Sequence, residues 1–518
     1  MKRRNFIKSA GAAASVPMIL NGMKLSAMPS SLANLVNNDS DKVLVLIQLN
    51  GGNDGLNMII PRDKYDNLAV VRSNIMLPES SILELDDTTG IHPMMEGVQN
   101  MYKEGQVSVL QSAGYPNQNR SHFRSMDIWK SASPADEVWQ NGWLGRYLDT
   151  LYPTFPENYP NTDFPDPFAI TMGNVVSETC QGQAANFSLT LTDPFSLAPL
   201  TEGAASEVPE TPYGDELSFL RITIKQANKY GERITAVAEV GTNMAEYPDG
   251  NRLAEQLKNV ALLIGGGLQT KIYIVNIGGF DTHANQVVEG DPTTGEHAVL
   301  LETLSEAMAA FQKDLDAQGL SERVVGMTFS EFGRRIKSND SFGTDHGTAS
   351  PLMVFGSCVN AKVFGDSPDI PLDVNKSEGL PMQNDFRDVY GSILMDWFEV
   401  TEQDVRTLLH EDFQHIPIIQ SCSVTSTGPD LTTELPVELT NFPNPFQNWT
   451  TIQFRSEAEW GKLAIYNAMG AELKVLMNQR LQAGEHQLRF DASSLPPGSY
   501  YYRLQLEGRQ KTNRMIKL

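Results

Sequence analysis

A chain of 518 residues is long enough for more than one domain, each with a core of ordinary size. Its 63 acidic against 40 basic residues give a formal charge of −23, which repels nucleic acid and anionic membranes and argues against both as partners. The 3 cysteines (Cys180, Cys358, Cys422) are scattered, odd in number and lack a Cys-x-x-Cys spacing, so neither a disulfide framework nor a cysteine-based metal site is expected.

Residues 1–33 read as an export signal and spacer. The basic start MKRR is followed by a mild, Ala-rich segment too short to span a bilayer. Arg3-Arg4 with Asn5, Phe6, Ile7 and Lys8 resembles a twin-arginine signal, which implies the twin-arginine translocase as a partner. An ordinary secretory signal with two incidental arginines is the alternative. No later segment reaches about 20 apolar residues, so the mature protein is expected to have no transmembrane span.

The run KVLVLIQL (42–49) has the unbroken apolarity of a strand buried on both faces. It empties into Asn50-Gly51-Gly52-Asn53-Asp54-Gly55, which reads either as a plain turn or as a ligand loop. A second strand, QVSVLQ (106–111), leads to SAGYPNQNRSHF and a helix. Ser121 there is either its N-cap or a nucleophile at a helix N-terminus, with Arg120 and Arg124 flanking it as anion binders. Residues 151–213, rich in Pro, Asn, Thr and Asp, suggest a long irregular surface excursion. Helices are predicted at 217–244 and 251–263.

Strand KIYIVNI (271–277) ends in Gly-Gly-Phe-Asp-Thr-His, placing Asp281 and His283 two apart, so that extended chain points both the same way. A helix over 297–317 follows, with His297 expected at the surface. The strand at 323–329 then completes a strand–helix–strand unit expected to be parallel and right-handed. The next loop delivers Asp345 and His346 side by side before the apolar run PLMVF. That pair reads as metal ligands or as a capped turn. A helix over 385–400 precedes a Thr/Ser/Pro-rich linker (421–438). Beyond it, period-2 runs from 439 to 518 predict a small antiparallel sandwich. Its pattern shows no exposed aromatic platform of the kind a carbohydrate-binding module uses.

If the strands are parallel, the loops at 50–55, 120–122, 281–283 and 345–346 gather on one sheet edge. Mixed carboxylate and imidazole groups there suit Zn²⁺ or Mn²⁺, with enough donors for two ions.

The stretches LIQLNGGNDGLNMIIP, GYPNQNRSHF, NIGGFDTH, SEFGRR and TDHGTASPLMVFG resemble the domain-of-unknown-function family 1501, placed in the alkaline phosphatase/sulfatase-like superfamily. The resemblance implies an α/β fold over 34–420, a doubly wound, mostly parallel sheet with a two-metal site. It implies Asp345 and His346 on one ion with Asp54 and the nucleophile Ser121, and Asp281 and His283 on the other. A further histidine is expected, with His92, His122, His410 and His415 as candidates. Asn50 stands where the superfamily often carries an acid, and no Cys/Ser-x-Pro-x-Arg signature of formylglycine sulfatases is present. The tail NFPNPFQNWTTIQF … LPPGSYYYRL … NRMIKL resembles a type IX secretion sorting domain, which implies that secretion machinery as a partner and a secreted or surface location reached through the periplasm. Together these imply an exported, metal-dependent hydrolase of small phosphate or sulfate esters, or a non-catalytic surface protein that retains the fold.

Overall fold

The computed structural model describes residues 18–20, 23–25, 41–201, 211–420, 439–456, 460–466, 472–493, 495–496, 498–506 and 509–517. Most of the expected export signal and all of the expected linker at 421–438 lie outside the described residues. These fall into two compact units, one ending near residue 420 and one containing the C-terminal strands.

The first unit is built on nine strands. In chain order they are β1 (Val43–Asn50), β2 (Val107–Gly114), β3 (Ala169–Met172), β4 (Ser188–Leu191), β5 (Ile272–Gly278), β6 (Val324–Ser330), β7 (Ser350–Phe355), β8 (Val363–Phe364) and β9 (Asn384–Asp385). Eight lie side by side in the order β8-β2-β7-β6-β1-β5-β3-β4, with β9 pairing onto β2. Only β7 runs against its neighbours. The rest are parallel, as the apolar runs implied.

Strand β1 shows why the sheet must be covered on both faces. Its Leu44 and Leu46 pack into one apolar cluster, while Val43, Val45, Ile47 and Leu49 pack into another. The first cluster is closed by α1 (His122–Ser131), α2 (Trp143–Leu151), α6 (Phe386–Asp396) and α7 (Glu402–Leu408). The second is closed mainly by α3 (Pro212–Val240), α4 (Arg252–Gly265) and α5 (Glu296–Ala317). Every apolar side chain of β1 is essentially buried, each worth roughly 1.5–3 kcal/mol of transfer free energy.

Parallel register brings the loops level. Gly278 pairs with Asn50 and Ser330 with Leu49, so β1, β5 and β6 stop at the same edge. The reversed strand β7 starts there too, with Ser350 opposite Ala113 of β2. A loop leaving β6 and entering β7 therefore stays on that edge.

β5 and β6 are parallel as expected, with β1 between them, because its continuous apolar run suits the most covered position of the sheet. Three expectations need correction. Residues 151–213 are not merely a surface excursion: they supply β3 and β4, and Phe155, Phe168 and Phe187 pack into the core. His297 is buried, not exposed, because the face of α5 that carries Leu301 and Leu304 also carries it. Cys358 is disulfide-bonded while Cys180 is a free, buried thiol. An odd count conceals a single bridge, and such a bridge persists in an oxidising compartment.

In the second unit, strands β10 (Thr440–Phe442), β11 (Trp449–Ser456) and β14 (Gly484–Asp491) form one antiparallel sheet. Strands β13 (Glu472–Arg480), β12 (Trp460–Tyr466), β15 (Gly498–Leu506) and β16 (Arg509–Lys517) form another. Ile452, Phe454, Leu463, Ile465, Tyr502 and Leu504 share its core. Phe442 and Trp449 are nonetheless exposed aromatics, the latter under the Arg489 guanidinium. The alternation in the sequence did not distinguish them from core positions. No helix among the described residues is long and apolar enough to cross a membrane.

Candidate metal centre at the sheet edge

At the carboxyl edge the loops can meet only because glycine lets the backbone pass closely. Gly51 sits at φ +123°, and a Cβ there would stand 2.3 Å from the Asp281 amide nitrogen. Gly52, at φ +77°, would place one 2.2 Å from the Phe332 ring. Across this junction lies Arg334, fully buried. It donates to the carbonyls of Gly51, Gly52, Phe280 and Thr344 and to Asp281 Oδ1 at 2.7 Å. One planar guanidinium with five donors thus ties three of the four loops together.

Above Arg334, four side chains converge. His283 Nε2 lies 2.9 Å from His346 Nε2 and 3.1 Å from Asp281 Oδ1. His346 Nε2 is 3.3 Å and His122 Nε2 3.5 Å from the same carboxylate oxygen. Metal–ligand bonds of about 2.0–2.2 Å in a tetrahedral shell put neighbouring donors about 3.3 Å apart, which is the spacing seen here. Among the described residues, His122, Asp281 and His346 each offer a donor atom within 4.8 Å of the other two.

The far nitrogen of each imidazole is anchored to oxygen. His283 Nδ1 meets Asp345 Oδ1 at 3.0 Å, His122 Nδ1 meets Glu331 Oε1 at 2.8 Å, and His346 Nδ1 meets the Arg120 carbonyl at 2.9 Å. Carboxylates and carbonyls only accept, so each ring carries a proton on Nδ1, which in a neutral imidazole leaves the Nε2 lone pair facing the shared point. Two such lone pairs 2.9 Å apart beside a carboxylate repel one another unless a cation or a shared proton lies between them. This arrangement, with an outer oxygen fixing each ring, is that of metal-bound histidine. Nitrogen and carboxylate donors together suit a divalent ion such as Zn²⁺ or Mn²⁺.

Electrostatics agree. Burial raises the pKa of Asp281, but its hydrogen bond and charge contact with Arg334, then His346 and His283, outweigh that and hold it below the ordinary carboxylate value. For Asp345, burial is likewise outweighed, by His283 and Arg335. Burial, with the Arg334 and His122 charges, lowers the His346 pKa against its contacts to the Arg120 carbonyl and Asp281, so this ring favours the neutral, ligating form.

The structure brings together Asp281, His283 and His346 and adds His122, the one of the four candidate histidines that reaches the cluster. Asp345 stands behind His283 as its orienting partner. Adjacent side chains on extended chain point to opposite sides, so 345 and 346 cannot both face one point. The donors accordingly form one group, not the two separate pairs expected.

Asp54 does not join them. It is buried beneath, gripped by Arg72 at 2.9–3.1 Å and by Gln286 Nε2 at 2.6 Å. Burial works against its ionisation, but Arg72 prevails and its pKa is lowered. Ser121 is exposed at the N-terminus of α1, its hydroxyl making no cap. Its neighbours on both sides, the Arg120 carbonyl and the His122 ring, are part of the cluster wall. Arg120 donates to the Ser377 carbonyl at 2.6 Å; burial and the neighbouring Arg335 charge lower its pKa. Arg124 turns away, donating to Ser133 Oγ and to the carbonyls of Pro134, Ala135 and Glu137.

Sequence reasoning missed Glu331, Arg334, Arg335 and Arg72. The run SEFGRR offered a signal: an acid and two arginines directly after a fully buried strand have nowhere to go but into the edge loops. The donors are accessible, with the Asp281, His283, His122 and His346 side chains 23–49 % exposed. Thr348, just past His346, also lines a cleft of about 390 Å³ with Tyr115, Asn117, Gln118, Glu378 and Met382.

Comparison with known proteins adds the following. The family described as "Protein of unknown function (DUF1501)" matches residues 234–407. No curated protein matches the chain. Solved structures similar to it include an alkaline phosphatase superfamily protein from Vibrio parahaemolyticus (9 % identity, 71 % of this chain and 75 % of that one, TM-score 0.28). The PsFucS1 sulfatase from Pseudoalteromonas sp. is also similar (10 %, 91 % and 89 %, 0.31). So is the putative sulfatase yidJ from Bacteroides fragilis (10 %, 91 % and 92 %, 0.31). The "Secretion system C-terminal sorting domain" matches residues 440–518. Residues 234–407 thus match the DUF1501 model and residues 440–518 a type IX sorting domain, the mark of a secreted or cell-surface protein.

Proposed function

We propose that this is an exported, metal-dependent hydrolase of phosphate or sulfate esters. The observation that carries the reading is the trio of imidazoles, each tethered through Nδ1, whose Nε2 atoms meet one carboxylate oxygen at 3.1–3.5 Å. His122, Asp281, His283 and His346 would hold the ion, with Glu331, Asp345 and the Arg120 carbonyl fixing the rings. When bound, a divalent ion supplies charge against the ester's non-bridging oxygens.

The chain's own groups then divide the work. Ser121 Oγ, exposed at a helix N-terminus beside the cluster residues Arg120 and His122, would form a bond to phosphorus or sulfur as the bond to the alcohol oxygen breaks, its hydroxyl proton ending on the departing alcohol, and water would later cleave the serine ester. The Arg120 guanidinium would hold the transferred group's negative charge. Arg334 and Gly51 keep the loops in register. Export would begin through the twin-arginine translocase and end at the type IX machinery. The disulfide at Cys358 suits such a route.

The test uses the purified protein, metal analysis, and p-nitrophenyl phosphate and sulfate. We expect a stoichiometric divalent ion, lost in His346→Ala, and turnover lost in Ser121→Ala with the metal retained. Absence of metal, together with inertness after Zn²⁺ or Mn²⁺ addition, refutes the reading. Full turnover in Ser121→Ala removes the serine from it.

A further inference from the structure

The charges around the cluster bear on what it binds. Three carboxylates, Asp281, Asp345 and Glu331, contact the donor rings or belong to the donor set. Three guanidinium groups answer them. Arg334 sits on Asp281, and Arg335 donates to Asp345 Oδ2 at 2.9 Å. Arg120 is held beside Arg335, because the two donate to the adjacent carbonyls of Ser377 and Lys376. The imidazoles are neutral in the ligating form, and the Asp54–Arg72 pair beneath cancels itself. The protein's own contribution is therefore zero, and a divalent ion leaves two positive charges. Arg120 alone of the three is bonded to a carbonyl and not to a carboxylate, and it stands on the exposed side next to Arg335.

Resting on the ester-hydrolase reading, we propose that the site selects a dianionic phosphoryl group over a monoanionic sulfuryl group, with Arg335 joining Arg120 as the charge-setting pair. A dianion neutralises the loaded site, whereas a monoanion leaves one positive charge there uncompensated. Arg335 is a specificity-determining residue in this account, not a catalytic one. A phosphate monoester is the substrate class that follows.

The experiment compares two non-hydrolysable ligands of the same shape, phenylphosphonate and benzenesulfonate, at a pH where the phosphonate has lost both protons. Calorimetry on the Zn²⁺-loaded protein is expected to show the phosphonate bound at least about tenfold more tightly. Arg335→Gln, which removes one positive charge, should bring the two within about threefold, while Arg335→Lys keeps most of the preference. Metal content is measured on every sample, and Arg120→Gln serves as the second variant should Arg335→Gln lose its ion. Equal binding of the two ligands by the loaded protein overturns the proposal, as does an unchanged ratio in a loaded Arg335→Gln. A wild-type protein that takes up no metal overturns both this and the hydrolase reading. Preference without turnover leaves this inference standing and rejects only the hydrolase.

Discussion

Glu331 shows how much a single side chain can settle in this protein. It is buried, and its carboxylate both accepts the Gly51 amide at 2.9 Å and orients the His122 ring. Glu331→Gln keeps the shape but replaces an anion with an amide that bonds the ring less strongly. We expect metal affinity to fall about 10–100-fold with little change in the unfolding midpoint of the metal-free protein, measured by competition with a chromogenic chelator. A buried histidine pair sets the acid limit. Burial, reinforced by Arg334 and Arg72 against the pull of Asp54, pushes His297 down to about 4 from an ordinary 6.5. Burial and His297 push His92 down to about 3. Both rings are neutral when folded but protonate near 6.5 when unfolded, so the unfolded state binds more protons between those values. Stability is thus full above about pH 6.5 and falls on acidification toward pH 4, by about 1.4 kcal/mol per pH unit for each group at most. Chemical denaturation across that range checks this, and His297→Gln should flatten the slope. A profile unchanged in the variant rules the cause out.

Among the elements, the decisive ones are the strand-end loops. Gly51→Ala would force a Cβ into the Asp281 amide at a φ that L-residues rarely adopt. Gly105 also has a positive φ, +79°, but open space around its missing Cβ. We expect Gly51→Ala to cost at least about 2 kcal/mol more than Gly105→Ala, read as a lower urea midpoint at constant m-value, and to weaken metal binding as well. Equal costs would mean the loops do not depend on that close approach. Strands β1, β2, β5, β6 and β7 were legible because each buried run is continuous and apolar, whereas the four-residue β3 and β4 were not. Their loops were legible as polar and Gly-rich. Which loop residues meet was not, because Asp54 and Asp281 follow near-identical Gly-Gly turns. One is swallowed by Arg72 and the other is left facing the histidine cluster.

For the whole molecule, the two units carry separate cores. The C-terminal strands bury Ile452, Phe454, Leu463 and Tyr502 among themselves. We predict that residues 439–518 expressed alone unfold cooperatively in a thermal scan, and a non-cooperative trace would count against a self-sufficient unit. A divalent ion that binds only the folded first unit should raise its stability by about 2.7 kcal/mol at a hundredfold excess over Kd, an increment that a chelator removes.

The sequence by itself determined the strands built on continuous apolar runs (β1, β2, β5, β6 and β7), the antiparallel strands of the tail, the acidic net charge and the sheet edge where polar loops collect, but not β3, β4, β8 or β9. Those follow from local apolar runs, glycine placement and composition, which each segment carries alone. Only the tertiary structure decided that His122, His283 and His346 share one carboxylate, that Asp345 stands behind rather than in front, and that Asp54 is an anchor. Those facts depend on strand order and on a buried Arg334 reaching across loops far apart in the chain. No local pattern encodes such contacts.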